Sequence, residues 1–330
     1  MRAIVLDEKG GPEVLRVRDV PDPVVGPEEM LVDVVSTAIN RAEVLQRLGM
    51  YPQPAPPPVY EIPGLEFAGT VVAMGDRVIN WRVGDQVMGI VSGGGYASRV
   101  AVHERQAIRV PSSVALADAG SIPEVWITAF DALVAQGGLA QSGAVLIHAG
   151  GSGVGTAAIQ IAKAYGATVI VTASASKCSR CIDLGADRAV DYAIADFVEV
   201  VREVTDSRGV DVVLDVIGGD YVDRNIDALA LKGTIVQVGT MGSGKATINV
   251  AKLMPKRACI VGTVLRARSL DEKIAISQRF AREIVPGFDA GRFKTVIDAR
   301  FSLDEMADAH RMMEANANFG KIAIDVRSSS

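Results

Sequence analysis

The sequence predicts an α/β protein of two domains, in which a mainly-β unit precedes a doubly wound parallel sheet. The chain has 330 residues, more than one hydrophobic core ordinarily fills. Before about residue 115, short β-type runs are broken by glycine and proline, which is typical of a compact, partly closed all-β unit. From about residue 140, strand-like and helical segments alternate, as they do in repeated β-α units with a parallel sheet.

In the first part, turn signals such as Gly26-Pro27 and Gly75-Asp76 separate strand-like runs at 3–6, 30–38, 68–72 and 98–102. Residues 51–58 read YPQPAPPP, which excludes a helix or a central strand because proline lacks the N–H and fixes φ. This segment fits either a surface polyproline loop or one wall of a functional site.

The second part predicts four helices, at 153–165, 176–184, 197–205 and 222–231, between strands at 144–148, 168–172, 188–190, 210–216, 234–238 and 258–264. After a helix at 270–284, the end of the chain no longer follows this repeat: it predicts a strand at 300–302, a helix at 303–314 and a strand at 321–326. We expect this end to return to the first domain. The predicted domains are therefore 1–118 with 286–330, and 119–285.

Composition narrows the functional classes. The net charge of -5 argues against a nucleic-acid partner, because binding driven by counterion release needs a basic face. No run approaches the roughly 20 apolar residues of a membrane helix, and the N-terminus has no signal-peptide pattern. Three cysteines cannot build a disulfide framework. We expect a cytoplasmic protein.

The glycine-rich run VLIHAGGSGVG at 145–155 lies between a predicted strand and a predicted helix. Glycines there allow a tight turn close to a pyrophosphate, and the helix N-terminus offers N–H groups and partial positive charge. Read as G-x-G-x-x-G, the pattern has Gly150, Ser152 and Gly155, and the serine hydroxyl could bond a phosphate oxygen while its Cβ narrows the approach. A plain strand–turn–helix packed by glycines is the alternative. The β-α units that follow favour a dinucleotide site.

The residues after the second strand indicate which dinucleotide is bound. NAD sites usually carry an acidic residue about 20 positions after the glycines. Here Ser174, Ser176 and Lys177 follow the strand, and no carboxylate occurs before Asp183. Hydroxyls and a cation suit a 2′-phosphate, which an acid would repel. The sequence therefore predicts NADPH, although a solvated Lys177 at a helix start is the alternative.

Several motifs in order give the chain a resemblance to a known family. They are AINRAEVLQRLG at 38–49 with Tyr51, PGLEFAG at 63–69, IPEVWITA at 122–129, the segment 142–163, VGTMG at 238–242, AHRMME at 309–314 and NFGKI at 318–322. Nearly the whole chain resembles the medium-chain dehydrogenase/reductase superfamily, in its zinc-free quinone oxidoreductase (zeta-crystallin-like) branch. Ser152 departs from the glycine of many members.

The resemblance implies a GroES-like domain built from both chain ends, a central Rossmann domain, and a nicotinamide ring in the cleft between them. It also implies a homodimer, in which the strand at 258–264 extends the sheet across a two-fold axis. The resemblance implies four groups of cofactor contacts. Lys177 and Tyr192 would contact the 2′-phosphate, and the turn at Gly151, Ser152, Gly153 and Val154 would bind the pyrophosphate. The nicotinamide half would be contacted by Val238, Thr240, Met241, Val264, Leu265 and Asn318, and the cleft beside the reactive ring would be lined by Asn40, Tyr51 and Thr128. Ordinary packing is the alternative for Tyr192 and Thr128.

The resemblance also bears on metals. Zinc-dependent relatives hold the ion at three places that here carry Asn40, Leu65 and Glu124, and a single possible ligand cannot hold a tetrahedral ion. We therefore expect no metal. The Cys178-Ser-Arg-Cys181 pair could be redox-active or half of a metal site, but no second pair exists and the histidines are scattered, so a structural interpretation is preferred.

Without a Lewis acid, the substrate must need little activation, and a quinone meets that condition because its reduction yields a stabilised oxyanion. We therefore expect NADPH-dependent reduction of a small quinone. Tyr51 would hydrogen-bond the new oxyanion or relay a proton, and Asn40 would orient the ring or the substrate carbonyl. One rival hypothesis is a reductase of 2-enoyl thioesters or ketones. Another is a non-catalytic, crystallin-like protein that only holds NADPH.

Overall fold

The computed structural model of the chain describes residues 1–51 and 58–327, which form two compact units. The first, here called the β unit, comprises Met1–Ile127 and Leu265–Ser330; the second, the parallel-sheet unit, comprises Thr128–Val264. These limits differ from the sequence boundaries at 118/119 and 285/286. Aromatic packing accounts for the first of these differences, since the Trp126 ring meets Phe288 edge-to-face and Phe293 at a tilt, with ring centroids 4.7 and 5.1 Å apart.

The first part of the β unit is dominated by antiparallel strands. In its long strand β3, Met30, Val32 and Val34 are fully buried and alternate with partly exposed residues, the period of a strand with one face on a core. The elements are β1 (Arg2–Val5), β2 (Arg16–Asp19), β3 (Glu29–Ala38), α1 (Arg41–Arg47), β4 (Glu66–Met74), β5 (Gln86–Ile90), β6 (Arg99–His103), β7 (Ile108–Arg109), α2 (Leu116–Ala119) and α3 (Pro123–Phe130), of which residues 128–130 belong to the parallel-sheet unit.

The parallel-sheet unit alternates strands and helices after a π-helical segment at Asp131–Gln136. Its elements are β8 (Ala144–Ile147), α4 (Gly153–Ala164), β9 (Thr168–Ala173), α5 (Ala175–Asp183), β10 (Arg188–Asp191), α6 (Phe197–Val204), β11 (Val210–Asp215), α7 (Tyr221–Ala228), β12 (Leu229–Gln237), α8 (Leu253–Lys256) and β13 (Cys259–Gly262). The six parallel strands lie in the order β10-β9-β8-β11-β12-β13, so the winding reverses between β8 and β11. This is the doubly wound Rossmann arrangement, and the predicted fold class is confirmed.

The strand register aligns the carboxyl ends of this sheet. Ile147 of β8 pairs with Val171 of β9, and Asp215 of β11 pairs with Gln237 of β12. The segments that follow the strands therefore all lie at the same end of the sheet, where the parallel strands terminate. This end is here called the carboxyl edge (the residues directly after β8–β13), as distinct from the outermost strands β10 and β13.

One predicted helix is longer at its C-terminal end than the helix in the structure. The helix expected at 222–231 stops at Ala228, and Leu229 already pairs with Val210 as the first residue of β12. Leu229 and Ala230 are buried, at 1% and 3% exposure. Sheet pairing and burial thus override the helical pattern that the sequence suggested.

The end of the chain completes the β unit. It forms α9 (Leu270–Glu283), α10 (Pro286–Asp289), β14 (Ile297–Ser302), α11 (Met306–Glu314) and β15 (Lys321–Asp325). The predicted helix at 303–314 is a 3-10 turn at Leu303–Glu305 followed by α11. β15 pairs with β3, so both ends of the chain build one sheet, in the order β14-β15-β3-β4-β5-β7 with β6 also on β3. In the part of the chain that the structure describes, no helix has the length and apolar character needed to cross a bilayer.

Candidate functional site

The glycine-rich turn connects β8 to α4 and brings backbone atoms very close together. A Cβ on Gly155 would lie 2.4 Å from the carbonyl oxygen of Ala149, and one on Gly150 would lie 2.8 Å from Cβ of Val171. Neither position can carry a side chain without a shift of its neighbours. The turn is therefore a tight cradle of main chain, the geometry that a pyrophosphate requires.

Ser152 replaces a glycine in this cradle and caps the helix. Its Oγ accepts a hydrogen bond from the Gly155 N–H at 3.0 Å. The N–H groups of Gly153 and Val154 belong to the first turn of α4, which lacks acceptors within the helix. With the helix dipole, these groups provide an anion-binding end at the turn.

His148 supports the turn from behind. Its Nε2 lies 2.7 Å from Oδ1 of Asn225. The Nδ2 atom of the same amide donates to Asp215 at 3.0 Å, so Oδ1 is the atom that faces His148 and it can only accept. The ring proton in this hydrogen bond is therefore on Nε2. Its Nδ1 then accepts from the Thr172 hydroxyl at 3.0 Å. Burial lowers the pKa of His148 and keeps the ring neutral. This geometry agrees with the structural interpretation of the histidine.

The side chains proposed for the 2′-phosphate lie at the carboxyl edge after β9 and β10. Parallel pairing aligns Ala173 with Asp191, so Ser174, Lys177 and Tyr192 follow neighbouring strand ends. The Ser174 and Ser176 hydroxyl oxygens are 3.4 Å apart, and Tyr192 is 55% exposed. The Asp191 carboxylate accepts the N–H of Ala193 in its own loop at 3.1 Å.

Further along the same edge lie residues predicted for the nicotinamide side. Val238 donates its N–H to the Asp215 carbonyl at 2.7 Å, and Met241 donates to that of Val216 at 3.0 Å, so the loop after β12 is anchored to β11. Met241 and Val264 are exposed, at 49% and 46%. Thr240 belongs to the same loop and is also exposed, whereas Thr128 on α3 is 9% exposed. The carboxyl edge thus carries predicted contacts from the glycine turn to the end of β13.

In the β unit, Asn40 is part of a buried polar group of side chains rather than a free surface amide. Its Nδ2 donates to Glu66 Oε1 at 3.0 Å, and its Oδ1 accepts from Lys321 Nζ at 2.7 Å. Lys321 also donates to Glu66 Oε1 at 2.8 Å and to the carbonyl of Ile39 at 2.8 Å. The amide of Asn40 is therefore held in one orientation, with 9% of the residue exposed.

Two further carboxyl groups adjoin this arrangement; with Glu66 they are here called the carboxyl cluster (Glu43, Glu66 and Glu124). Glu43 accepts the N–H of Asn40 at 2.8 Å and that of Leu65 at 3.1 Å. Glu124 donates its main-chain N–H to Glu66 Oε2 at 2.9 Å. Burial, reinforced by the other carboxyl groups, raises the pKa of Glu43 to about 7 and that of Glu124 to about 8.

Tyr51 lies beneath a cation in the same unit. The guanidinium carbon of Arg266 is 5.2 Å from the centre of the Tyr51 ring, and Arg266 Nε donates to the Ser92 carbonyl at 2.8 Å. Burial and the nearby Glu124 raise the pKa of Tyr51, while Arg266 opposes the shift. The phenol is therefore protonated at neutral pH and can donate a hydrogen bond. Of the proline-rich segment that follows it, residues 52–57 lie outside the described residues.

Two of the residues predicted for the nicotinamide side are buried. Leu265 and Asn318 are each 6% exposed, and Asn318 Nδ2 donates to the carbonyl of Gly320 at 2.6 Å. The prediction also gave no role to Glu43, Lys321 and Arg266. The signals were present, since Glu43 stands three residues after the helix-initiating Asn40 and Lys321 lies in the NFGKI motif.

The residues at the zinc places do not suit that ion. Asn40 is already bonded to Glu66 and Lys321, Leu65 has no donor atom, and Glu124 is the one carboxylate. Within residues 1–51 and 58–327, no three His, Cys, Asp or Glu side chains are placed to hold a metal ion. Among the cysteines, burial raises the pKa of Cys181 to about 12, which disfavours the reactive thiolate.

Comparisons with known proteins agree with both units. A family model described as "Zinc-binding dehydrogenase" matches residues 153–280, and one described as "Alcohol dehydrogenase GroES-like domain" matches residues 26–112. The crystal structure of an NAD-dependent alcohol dehydrogenase is 31% identical, with 99% of this chain and 100% of that chain covered and a TM-score of 0.88. The quinone oxidoreductase of Escherichia coli complexed with NADPH is 26% identical over 99% of this chain and 100% of that chain, with a TM-score of 0.88.

Among curated proteins, the human quinone oxidoreductase is 27% identical over 313 residues, which are 94% of this chain and 93% of that protein. The Rossmann sheet with its glycine cradle and the accompanying GroES-like sheet define an oxidoreductase of the dinucleotide-binding class. The chain belongs to the medium-chain dehydrogenase/reductase superfamily, as predicted.

Proposed function

We propose that the protein is an NADPH-dependent, zinc-independent reductase of small quinones. The observation that carries the proposal is the chemistry of the carboxyl edge after β9, where hydroxyls and Lys177 stand in the place of the acidic residue that favours NAD. The NADPH complex of the Escherichia coli quinone oxidoreductase supports the choice of cofactor. The human quinone oxidoreductase supports the choice of substrate class.

The cofactor would be held along the carboxyl edge. Lys177, Ser174 and Tyr192 would contact the 2′-phosphate, and the turn at Gly151, Ser152, Gly153 and Val154 would bind the pyrophosphate through main-chain N–H groups. The nicotinamide half would be contacted by the remaining predicted residues: Val238, Thr240, Met241, Val264, Thr128, Leu265 and Asn318. Bound NADPH supplies a hydride from C4 of its nicotinamide ring.

The residues of the β unit would manage charge and protons at the substrate. A protonated Tyr51 donates a hydrogen bond to the oxygen that becomes negative, and Arg266 stabilises negative charge on the phenol. Asn40, fixed by Glu66 and Lys321, would orient the reacting groups. Because the zinc places lack a ligand set, the substrate must accept hydride without a Lewis acid, as a quinone does.

A second candidate is 2-enoyl reduction, which the protonated phenol of Tyr51 would also suit. Reduction of a carbon–carbon double bond requires protonation at carbon, so Tyr51 would then be indispensable. For a quinone, the hydrogen bond from Tyr51 assists but solvent can also supply the proton.

An acceptor screen separates the candidates. The protein would be mixed with NADPH or NADH and either 1,2-naphthoquinone or crotonyl-thioester, and nicotinamide oxidation followed by absorbance. Faster turnover of the quinone with NADPH is the expected result. Preferred turnover of the thioester would replace the quinone assignment, and tight NADPH binding with no turnover of any acceptor would favour the crystallin-like alternative.

We also propose that the enzyme acts as a homodimer in the cytoplasm. Strand β13 ends the parallel sheet, and its residues Cys259 and Ile260 are exposed, which leaves an edge able to pair with a second copy. The cysteines Cys178, Cys181 and Cys259 are all free thiols, consistent with a reducing compartment.

A further inference from the structure

Ser92, in the loop that follows β5, is bonded to Arg266 in both directions. Its main-chain carbonyl accepts a hydrogen bond from Arg266 Nε at 2.8 Å, and its hydroxyl makes a longer contact with the Arg266 carbonyl at 3.5 Å. A third contact comes from Lys273, whose Nζ donates to the Ser92 hydroxyl oxygen at 2.6 Å. Ser92 therefore links the side chain and the main chain of Arg266 to an ammonium group.

The contact from Lys273 decides which way the Ser92 hydroxyl points. An ammonium group can only donate, so the hydroxyl oxygen accepts from Lys273 and the hydroxyl proton turns to a different acceptor. The structure provides that acceptor in the carbonyl of Arg266. Lys273 thus orients the hydroxyl that contacts the main chain of Arg266.

Lys273 is itself held firmly enough for this role. Only 8% of the residue is exposed, whereas a lysine is normally a surface residue. It belongs to α9, which starts with a capping box: Ser269 Oγ accepts the Glu272 N–H at 3.3 Å, and Glu272 accepts the Ser269 N–H at 2.9 Å. Arg266 lies just before this capped start, so its segment is fixed both by the helix and by Ser92.

The guanidinium held in this way lies over the Tyr51 ring, with its carbon 5.2 Å from the ring centre. Burial and Glu124 raise the pKa of Tyr51, and Arg266 opposes the shift because a cation favours the ionised phenol. The contact with Ser92 engages Nε of a flat, rigid guanidinium, so it sets the position of the charge relative to the ring.

We propose that Ser92 and Lys273 are positioning residues that hold the Arg266 guanidinium over Tyr51 during quinone reduction. The inference rests on the proposed function and deepens it. Both residues act through Arg266 rather than on the substrate. Arg266 in turn stabilises the negative charge that Tyr51 acquires when its proton passes to the reduced quinone.

The step that this charge serves balances in atoms and electrons. The quinone accepts a hydride, with its two electrons, from NADPH and becomes a hydroquinone anion. The Tyr51 O–H bond then breaks, and its proton goes to the oxyanion. Tyr51 takes a new proton from solvent, so NADPH, quinone and one proton give NADP⁺ and hydroquinone.

A double-mutant cycle with 1,2-naphthoquinone tests whether Lys273 acts through Arg266. Arg266→Met should lower kcat by about tenfold or more, and Lys273→Met by about threefold or more with the Kd for NADPH unchanged. In the Arg266→Met background, Lys273→Met should have no further effect, because no guanidinium remains to be held. Lys294→Met, which removes an exposed lysine of the same unit, is the control and should keep the kcat of the unmodified protein. An equal loss from Lys273→Met in both backgrounds overturns the inference.

The space beside Lys273 allows a chemical rescue. Lys273 and Ser92 line a cavity of about 280 Å³, together with Leu270 and Gln106 among others. Lys273→Ala should lose turnover, and added propylammonium, which matches the missing part of the side chain, should restore part of kcat in a saturable manner. Propanol, which has a similar size and no charge, should not. Equal recovery with both compounds would mean that only the filled volume matters and would contradict the positioning role.

Titration of Tyr51 in the cofactor-free protein provides a readout that needs no turnover. With tyrosine replaced by 3-fluorotyrosine, whose phenol ionises at lower pH, fluorine NMR follows each ring, and the Tyr51 signal is the one lost in Tyr51→Phe. Ser92→Ala changes no charge but loosens Arg266, so it should raise the Tyr51 midpoint by about half a pH unit. The exposed Ser112→Ala is the control and should leave the midpoint unchanged.

These readouts separate the inference from the proposed function. A protein that reduces no quinone overturns the quinone assignment, while a raised Tyr51 midpoint in Ser92→Ala still supports the positioning of Arg266. Active quinone reduction with an unchanged midpoint in Ser92→Ala overturns the positioning role alone.

Discussion

The Lys321 ammonium lies 2.8 Å from the Glu66 carboxylate, and both side chains are almost fully enclosed, at 4% and 0% exposure. The two residues are 255 positions apart in the sequence, so their contact joins the end of the chain to β4. The pair also fixes the amide of Asn40, which both residues contact. An internal charge pair therefore holds the Asn40 side chain in place.

Removing the cation from this pair should strongly destabilise the β unit. In Lys321→Met, the Glu66 carboxylate remains buried without its partner, and we expect a loss of about 3–5 kcal/mol in the free energy of unfolding. Urea unfolding at pH 7 measures it. Arg18→Met is the control, because Arg18 pairs with Asp7 at the surface and should cost no more than about 1 kcal/mol. Equal effects of the two substitutions would contradict the assigned role.

The raised pKa of Glu124 gives stability a definite pH dependence. The folded state keeps this proton up to about pH 8, whereas the unfolded chain releases it near 4.5, so the contribution is present at low pH and is lost as the pH rises from 4.5 through 8. Glu124→Gln removes the effect. Between pH 5 and pH 8, the variant should lose less stability than the unmodified protein, by on the order of 2 kcal/mol.

Urea unfolding at these two pH values provides the measurement for Glu124. Glu8→Gln should follow the unmodified protein, since that side chain is exposed. Parallel pH profiles for Glu124→Gln and the unmodified protein would mean that Glu124 titrates in the ordinary acidic range.

The glycine cradle should be intolerant of a single methyl group. In Gly155→Ala, the new Cβ would lie 2.4 Å from the Ala149 carbonyl oxygen, which must shift the turn. We expect at least about a tenfold rise in the Kd for NADPH, measured by fluorescence titration. Gly244→Ala is the matched control, because a Cβ there has no heavy atom within 4 Å and should leave the Kd unchanged. Similar affinities for both variants would place the pyrophosphate elsewhere.

The exposed edge of the parallel sheet predicts the site of dimerisation. Ile260→Lys places a charge on β13, where the native side chain is 39% exposed, and should weaken association by about tenfold or more. Ile194→Lys is the control, since Ile194 is 84% exposed and lies away from that strand. Analytical ultracentrifugation gives the dimer dissociation constant. A monomeric unmodified protein, or a dimer insensitive to Ile260→Lys, argues against this interface.

The repeating part of the fold was accessible from sequence because its signals are local. Each β-α unit contains its own apolar strand, turn residues and helix, and the glycine run marks where the first unit binds an anion. The end of the helix predicted at 222–231 is an exception, because Leu229 belongs to β12 through its pairing with Val210, and no local sequence pattern indicates that pairing.

The candidate site was only partly accessible for the same reason. Residues that follow strand ends, such as Lys177 and Tyr192, could be placed from the repeat alone. The buried contacts among Asn40, Glu66 and Lys321 could not, since Glu66 and Lys321 meet only when β15 joins β3 and β4 in one sheet. The raised pKa of Glu124 is likewise not visible in the sequence, because it depends on desolvation in the folded protein and on Glu66 and Glu43, which are distant along the chain.

The most direct test of the account is a calorimetric titration of the protein with NADPH and with NADH, repeated on Lys177→Ala. A charge-assisted contact, such as the one proposed between Lys177 and the 2′-phosphate, is worth about 1.5–3 kcal/mol. We therefore predict that the protein binds NADPH at least about tenfold more tightly than NADH, and that Lys177→Ala removes most of this preference. Lys163→Ala, whose native ammonium pairs with Asp187 at 2.9 Å, should keep it. Equal affinity for the two nucleotides, or binding of neither, would contradict the account.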